Sequence, residues 1–172
     1  MLLARCATGQ SAHGRTSTES TSALGVTVLA VADRPQLPTV SGQLVGGGSL
    51  SLAADRGHVR VLNFWGSWCS VCRKEAPALS AATRQFQGSG VRFVGIDVAD
   101  DSASAIAYMH RYQVSFPSLN DPHDQVATRF YRLIPVADFP STLVAAPYGK
   151  IIGRVIGAST DQDLRQLIKA AE

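Results

Sequence analysis

Two cysteines, Cys69 and Cys72, lie two residues apart in Phe64-Trp65-Gly66-Ser67-Trp68-Cys69-Ser70-Val71-Cys72. This spacing fits three chemistries: a dithiol redox site, half of a zinc site, or covalent haem attachment. Haem attachment needs a histidine directly after the second cysteine, where this chain has Arg73. A structural zinc site needs four ligands, and the remaining candidates, Cys6, His13, His58, His110 and His123, contain no pair at ligand spacing. Dithiol exchange is therefore favoured. Its nucleophile is a thiolate, so the site must stabilise negative sulfur. A helix starting at Cys69 does this with unsatisfied N–H groups and the positive end of its macrodipole, and Arg73 and Lys74 add charge of the same sign. Cys69 is expected to be the exposed, attacking thiol. Cys72, one turn further in on the inward stripe, is expected to resolve the mixed disulfide.

The elements that would hold this pair can be read from periodicity. From residue 70 the apolar period changes from two to about 3.6, with Cys72, Ala76, Leu79, Thr83 and Phe86 on one stripe, and Gln87-Gly88-Ser89-Gly90 ends the helix. The mostly apolar run 58–65 reads as a central strand leading into the cysteines. Ahead of it, Gly46-Gly47-Gly48 joins two short strands in a hairpin, and residues 23–32 allow one more short strand. Beyond the helix come a strand at 91–98, a helix at 102–112, a short strand at 116–119 and a helical patch at 124–132. Strands at 141–146 and 151–157 then form an antiparallel hairpin, and a last helix is capped by Thr160 or Asp161. The order predicts a mixed sheet with helices on both faces.

The chain has 172 residues, which favours one domain plus a tail. Hydrophobic residues make up 45% and charged residues 17%, so a packed core is expected. The net charge of +3 is mild, and no block of five like charges occurs, so nucleic acid is not an expected partner. The longest mainly apolar run, 23–32, is about half of the ~20 residues of a spanning helix. Three cysteines leave one thiol over, Cys6, after Met1-Leu2-Leu3-Ala4-Arg5. It resembles the end of a bacterial lipoprotein signal, with too short an apolar run ahead of it. Either the start lies further upstream or Cys6 is an incidental thiol. Residues 8–22 hold eight Ser or Thr, a linker composition. The expected organisation is a flexible tail over 1–37, a tether of ~30 Å as a coil, and a domain over 38–172.

From about Pro38 onward the chain resembles the thioredoxin superfamily, and within it the TlpA and ResA-like envelope redoxins. The marks are Asn-Phe-Trp-Gly-Ser-Trp-Cys-x-x-Cys at 63–72, Arg-Lys-Glu-Ala-Pro at 73–77, Val-Gly-Ile-Asp at 94–97 and Phe-Pro-Ser-Thr-Leu-Val at 139–144. The resemblance implies a thioredoxin-like α/β fold: a mixed central sheet flanked by helices, an N-terminal β-hairpin and a central α/β insertion. The 68 residues from Cys72 to Pro140, about twice a ~30-residue βαβ unit, fit that insertion. Pro77 matches the family's helix proline. Pro140 matches its cis-proline opposite the dithiol, with Phe139 offering backbone to a bound polypeptide. Trp68 is read as a wall of the site. Thioredoxin's buried aspartate is replaced by Asn63, which is usual in the envelope branch. Glu75, three residues after Cys72, matches a functional glutamate of ResA members; it is read as the base for Cys72 or as a plain helix-start charge. Asp97 is read either as a turn former or as a site residue.

What the resemblance implies is a thiol-disulfide oxidoreductase whose only redox group is the Cys69–Cys72 disulfide, with no other cofactor and no metal. Its substrates would be protein thiols and disulfides, apocytochrome c among them, and its electrons would come from a membrane donor. It would be a monomer outside the cytoplasm, anchored through Cys6 or secreted. Reduction is the favoured direction. An oxidant that installs disulfides and a non-catalytic binding module are the alternatives. A peroxidase is disfavoured, because Pro-x-x-x-Thr-x-x-Cys is absent before Cys69.

Overall fold

A computed structural model describes residues 20–21, 25–134 and 138–172. Its main sheet has seven strands: β1 (Ser20–Thr21), β2 (Val26–Val28), β5 (Val59–Trp65), β6 (Val91–Val98), β7 (Ser118–Asp121), β8 (Ser141–Ala145) and β9 (Ile151–Ile156). β3 (Ser41–Gln43) and β4 (Ser49–Ser51) form a separate hairpin around the three glycines. Across the main sheet the order is β1-β2-β9-β8-β5-β6-β7. β5 lies at the centre, parallel to β6 and antiparallel to β8. All seven of its residues are buried, as expected of a strand covered on both faces.

The alternation of β5 divides the core. Val59, Val61, Asn63 and Trp65 face the helices α1 (Ser70–Gln85) and α3 (Asp161–Ala171), whose Leu79, Ala82, Leu164, Leu167 and Ile168 fill that layer. α2 (Ser102–Arg111) joins the same face, where Tyr108 stacks on Trp65 at 4.4 Å between ring centroids. Leu62 and Phe64 face the other way. There the cover is the β3–β4 hairpin with Leu44 and Leu50, a single 3₁₀ turn (Ala127–Phe130) and the segment carrying Leu29 and Leu37. Helices thus flank the mixed sheet unequally: among the described residues every α-helix is on one face, and the helical patch expected at 124–132 shortens to that 3₁₀ turn.

Two boundaries shift. β2 pairs with β9 through Val26↔Val155 and Val28↔Gly153, and Val26 is buried in the core. These valines, which lie before the expected boundary at 37/38, form a strand of the main sheet between β1 and β9. β7 starts two residues later than expected: Phe116 packs into the core as a loop residue, and the strand begins after Pro117, which has no N–H to give a ladder.

Candidate active site

Every residue of the site hangs from the C-terminal end of β5 or from the segments facing it. β5 ends at Trp65, Gly66-Ser67-Trp68 turns the chain, and α1 starts with Cys69 as its N-cap. Cys69 and Cys72 are joined by a disulfide, with Cα atoms 5.3 Å apart. Cys69 Sγ accepts the Cys72 backbone N–H at 3.1 Å, so one orphan donor of the helix start already points at this sulfur. Cys69, expected to stand exposed, is only 6% exposed, because it packs in one cluster with Cys72 and against Phe139; Cys72 is fully buried, and Trp68, at 50%, and Val71 stand exposed around them. Pro77 lies inside α1, and the helix runs through it.

The Gly66-Ser67-Trp68 turn is held from three sides. Asp100 accepts Ser67 N–H at 2.5 Å on Oδ2 and the Ser67 hydroxyl at 2.9 Å on Oδ1. Arg73 Nη1 donates to Ser67 O at 2.8 Å, which draws its guanidinium back over the turn. Trp68 Nε1 donates to Val98 O at 3.0 Å. Gly66 is required for this last contact, because a Cβ there would collide with the Trp68 indole at Nε1 and Cε2. The Trp68 ring meets Phe139 edge-on at 5.8 Å, and Phe139 also packs against the cluster that contains both cysteines. The Phe139–Pro140 bond is cis and leads into β8. Trp68, Phe139 and Pro140 are thus gathered beside the disulfide. Cys6 lies outside the described residues.

One helical turn after Cys72 on α1 sits Glu75, 3% exposed. Its Oε1 accepts from Asn63 Nδ2 at 2.8 Å and its Oε2 from Ser159 N–H at 2.7 Å. Asn63 Nδ2 also reaches Thr142 Oγ1 at 3.2 Å, and Ser159 Oγ lies 2.9 Å from the same Thr142 oxygen. Burial pushes the Glu75 carboxyl up to about 7, with the Ser159 and Asn63 hydrogen bonds pulling it partly back. An exposed helix-start charge is therefore not what this residue is. Asn63, which itself cannot titrate, acts as the donor that holds Glu75.

Three contributors were not visible in the sequence. Ser159 is 84 positions from Glu75 and reaches it through a backbone N–H, which no residue type advertises. Tyr108 donates to Cys72 O at 2.8 Å, anchoring the first turn of α1 to α2. Asp100 carries the Ser67 turn. An aspartate three residues beyond the Val-Gly-Ile-Asp mark was the one available hint. Asp97 is the last but one residue of β6, opposite Trp65, and is fully buried.

A buried acid one helical turn from the second cysteine of a disulfide at a helix start is of a type that can exchange a proton with a thiol, and an apolar wall with a cis-proline can seat an extended chain. The AhpC/TSA family matches residues 34–154. Thiol-disulfide oxidoreductase ResA of Bacillus subtilis is 32% identical over 129 residues, covering 73% of this chain and 70% of that protein. Among solved structures, a secreted thiol-disulfide isomerase from Corynebacterium glutamicum superposes with a TM-score of 0.78 at 25% identity, covering 86% of this chain and 92% of its own. A DsbF homologue from Corynebacterium diphtheriae also gives 0.78 at 25% identity, covering 91% and 99%. On this geometry and these likenesses, the chain belongs to the AhpC/TSA family and is a thiol-disulfide oxidoreductase of the ResA type.

Proposed function

We propose that the enzyme works outside the cytoplasm as a reductant of protein disulfides, with Cys69 attacking, Cys72 resolving and Glu75 as the base for Cys72. In the reduced enzyme the Cys69 thiolate attacks one sulfur of a substrate disulfide. A Cys69–substrate disulfide forms, and the other substrate sulfur leaves as a thiolate. Cys72 then passes its proton to the Glu75 carboxylate and attacks Cys69 Sγ. The second substrate sulfur leaves with the electron pair, and both substrate thiolates take protons from solvent. The substrate is reduced by two electrons, and the enzyme ends in the disulfide form.

The observation that supports this assignment most is Glu75: buried, held by two N–H donors, and raised to about 7, so that it can take and release a proton near neutrality. Trp68, Phe139 and Pro140 form the wall against which a polypeptide strand pairs. Disulfide-bonded apocytochrome c is a suitable substrate class, the dithiol is the only redox group the cycle needs, and a membrane donor returns the electrons to a monomeric enzyme. A site outside the cytoplasm agrees with the secreted Corynebacterium glutamicum relative. Tethering through a lipidated Cys6 fits the Ser/Thr-rich segment that follows it.

The reduction potential, measured by equilibration with glutathione, tests the direction. A value near ~−270 mV supports reduction, and one near ~−120 mV supports the opposing reading, an oxidant of exported proteins. Val71, before Cys72, has an N–H that a proline would lack, and this is the feature that favours the oxidant.

A further inference from the structure

The Asp97 carboxyl is fully buried, and neither of its oxygens has a hydrogen-bond donor among the described residues. It is in hydrogen-bond contact with the carboxyl group of Asp100. A carboxyl group this close disfavours negative charge on the buried Asp97. Asp100 is the more accessible partner, and its own oxygens are already taken by donors: Ser67 N–H, the Ser67 hydroxyl and Asp101 N–H. Asp97 has no such donors. The proton therefore sits on Asp97, and its O–H points to Asp100.

We propose that Asp97 and Asp100 are positioning residues of the redox site: Asp97 holds a proton and donates it to Asp100, which in turn fixes the Ser67 backbone that sets Cys69 at the head of α1. The backbone between the two acids is shaped for this contact. Ala99 has φ 50°, a left-handed conformation that a non-glycine residue adopts at a cost, and Ala99 N–H is tied to Asp121 O at 3.0 Å. Ser67 is two residues from Cys69, whose own N–H donates to Gly66 O at 3.1 Å. Loss of the Asp97 proton places a second negative charge under this turn. It weakens the Asp100–Ser67 contact and opposes negative charge on the Cys69 and Cys72 sulfurs.

The charged and titratable groups facing Asp97 are Asp100 and Asp101 after β6, Asp121 at the end of β7, and Tyr108 on α2; the strand neighbour on β5 is Trp65. All the carboxylates act in one direction. Burial first, then the Asp100 charge and hydrogen bond, then Asp101 and Asp121, push the Asp97 carboxyl up to about 8. Arg73, on α1, is committed to Ser67 O. Among the described residues this acidic group is not placed to hold a metal ion.

The proposal rests on Cys69 being the attacked and attacking sulfur, and two measurements test it. In the first, carboxyl ¹³C NMR of the oxidised enzyme follows Asp97 directly. Asp97 should titrate above neutrality, and D100N should lower its midpoint by about one pH unit or more. A midpoint in the ordinary range near ~4, or one that D100N leaves in place, overturns the proposal.

The second compares wild type with D97N in reduction by dithiothreitol from pH 6 to 9.5. The reagent's thiolate attacks Cys69 Sγ, the disulfide breaks with its electron pair on Cys72, and the reagent's second thiol closes its cyclic disulfide and frees Cys69. The side-chain amide introduced by D97N keeps an N–H toward Asp100 and never gains a charge. The wild-type to D97N rate ratio, normalised to pH 6, should fall about tenfold through a step near pH 8, the equivalent of about one unit of thiol pKa. A flat ratio overturns the proposal. Alkylation of the reduced enzyme at Cys72 instead of Cys69 would overturn the underlying reading of the dithiol, and it would leave the NMR result standing.

Discussion

Two buried acids, Glu75 on α1 and Asp97 on β6, lie on the helical face of the sheet, and their surroundings differ in kind. Glu75 is met by an amide N–H from Asn63 and a backbone N–H from Ser159. Asp97 is met by another carboxyl group and by no donor among the described residues. Burial raises both, to about 7 and about 8. The difference lies in what the charged form finds. Ionised Glu75 keeps two hydrogen bonds, so it can cycle between states during turnover. Ionised Asp97 faces Asp100, Asp101 and Asp121, which favours the protonated form in which we propose it supports Asp100. Burial alone would have made the two residues alike; the donors around each separate the proposed proton carrier, Glu75, from the proposed positioning residue, Asp97.

The largest expected effect breaks the comparison on the Glu75 side. E75Q should leave the initial attack by Cys69 nearly unchanged and slow resolution by Cys72 by ~10² to 10⁴ near neutrality, with the defect shrinking as pH rises. Stopped-flow Trp68 fluorescence follows both steps. A resolution rate equal to wild type across pH 6 to 9 would return Glu75 to a structural role.

Stability against pH comes next. Both acids have folded-state pKa values above their unfolded values, so in the window between them the folded state binds more protons than the unfolded one. The stabilisation from these protons is complete below pH ~4 and is lost as pH rises, through about 7 for Glu75 and about 8 for Asp97. Within its window each group contributes a slope of about −1.4 kcal/mol per pH unit. Urea unfolding of wild type, E75Q and D97N should show that slope reduced in each variant, up to about pH 7 in the first and about pH 8 in the second. Parallel curves would contradict it.

A smaller effect sharpens the comparison by making Glu75 more like Asp97. N63A removes one of the two donors that lower the Glu75 pKa, so the resolution midpoint should move upward by about one pH unit. The stopped-flow pH profile reads this shift, and an unmoved or lowered midpoint would mean that the Asn63 bond does not tune the acid. The smallest effect is expected at Tyr108. Y108F keeps the stacking on Trp65 and loses the bond to Cys72 O, which should cost about 0.5–1.5 kcal/mol in urea unfolding while leaving the resolution midpoint in place.

Much of this site could be read from the chain before its structure. The expected extents of β5, β6, α1 and α3 lie within one or two residues of those observed, because each has a strong apolar period and a clear stop, such as the Thr160–Asp163 capping box of α3. The 124–132 patch misled for the opposite reason: Phe130 buries its ring on the sheet through a single 3₁₀ turn, and one apolar anchor does not require a full helix. Val26–Val28 was too short a run for its place in the sheet to show without its partner β9. In the site, Cys69, Cys72 and Glu75 stood out by type and spacing. The role of Asp97 did not, since its meaning depends on burial and on the absence of donors, and both are properties of the folded molecule.

The order of attack is the centre of the account, and trapping tests it most directly. With a disulfide-containing polypeptide, C72S should accumulate a mixed disulfide through Cys69, seen on a non-reducing gel and mapped by mass spectrometry, while C69S should form none and lose turnover. A stable adduct of C69S through Cys72, with C72S unreactive, would contradict the account.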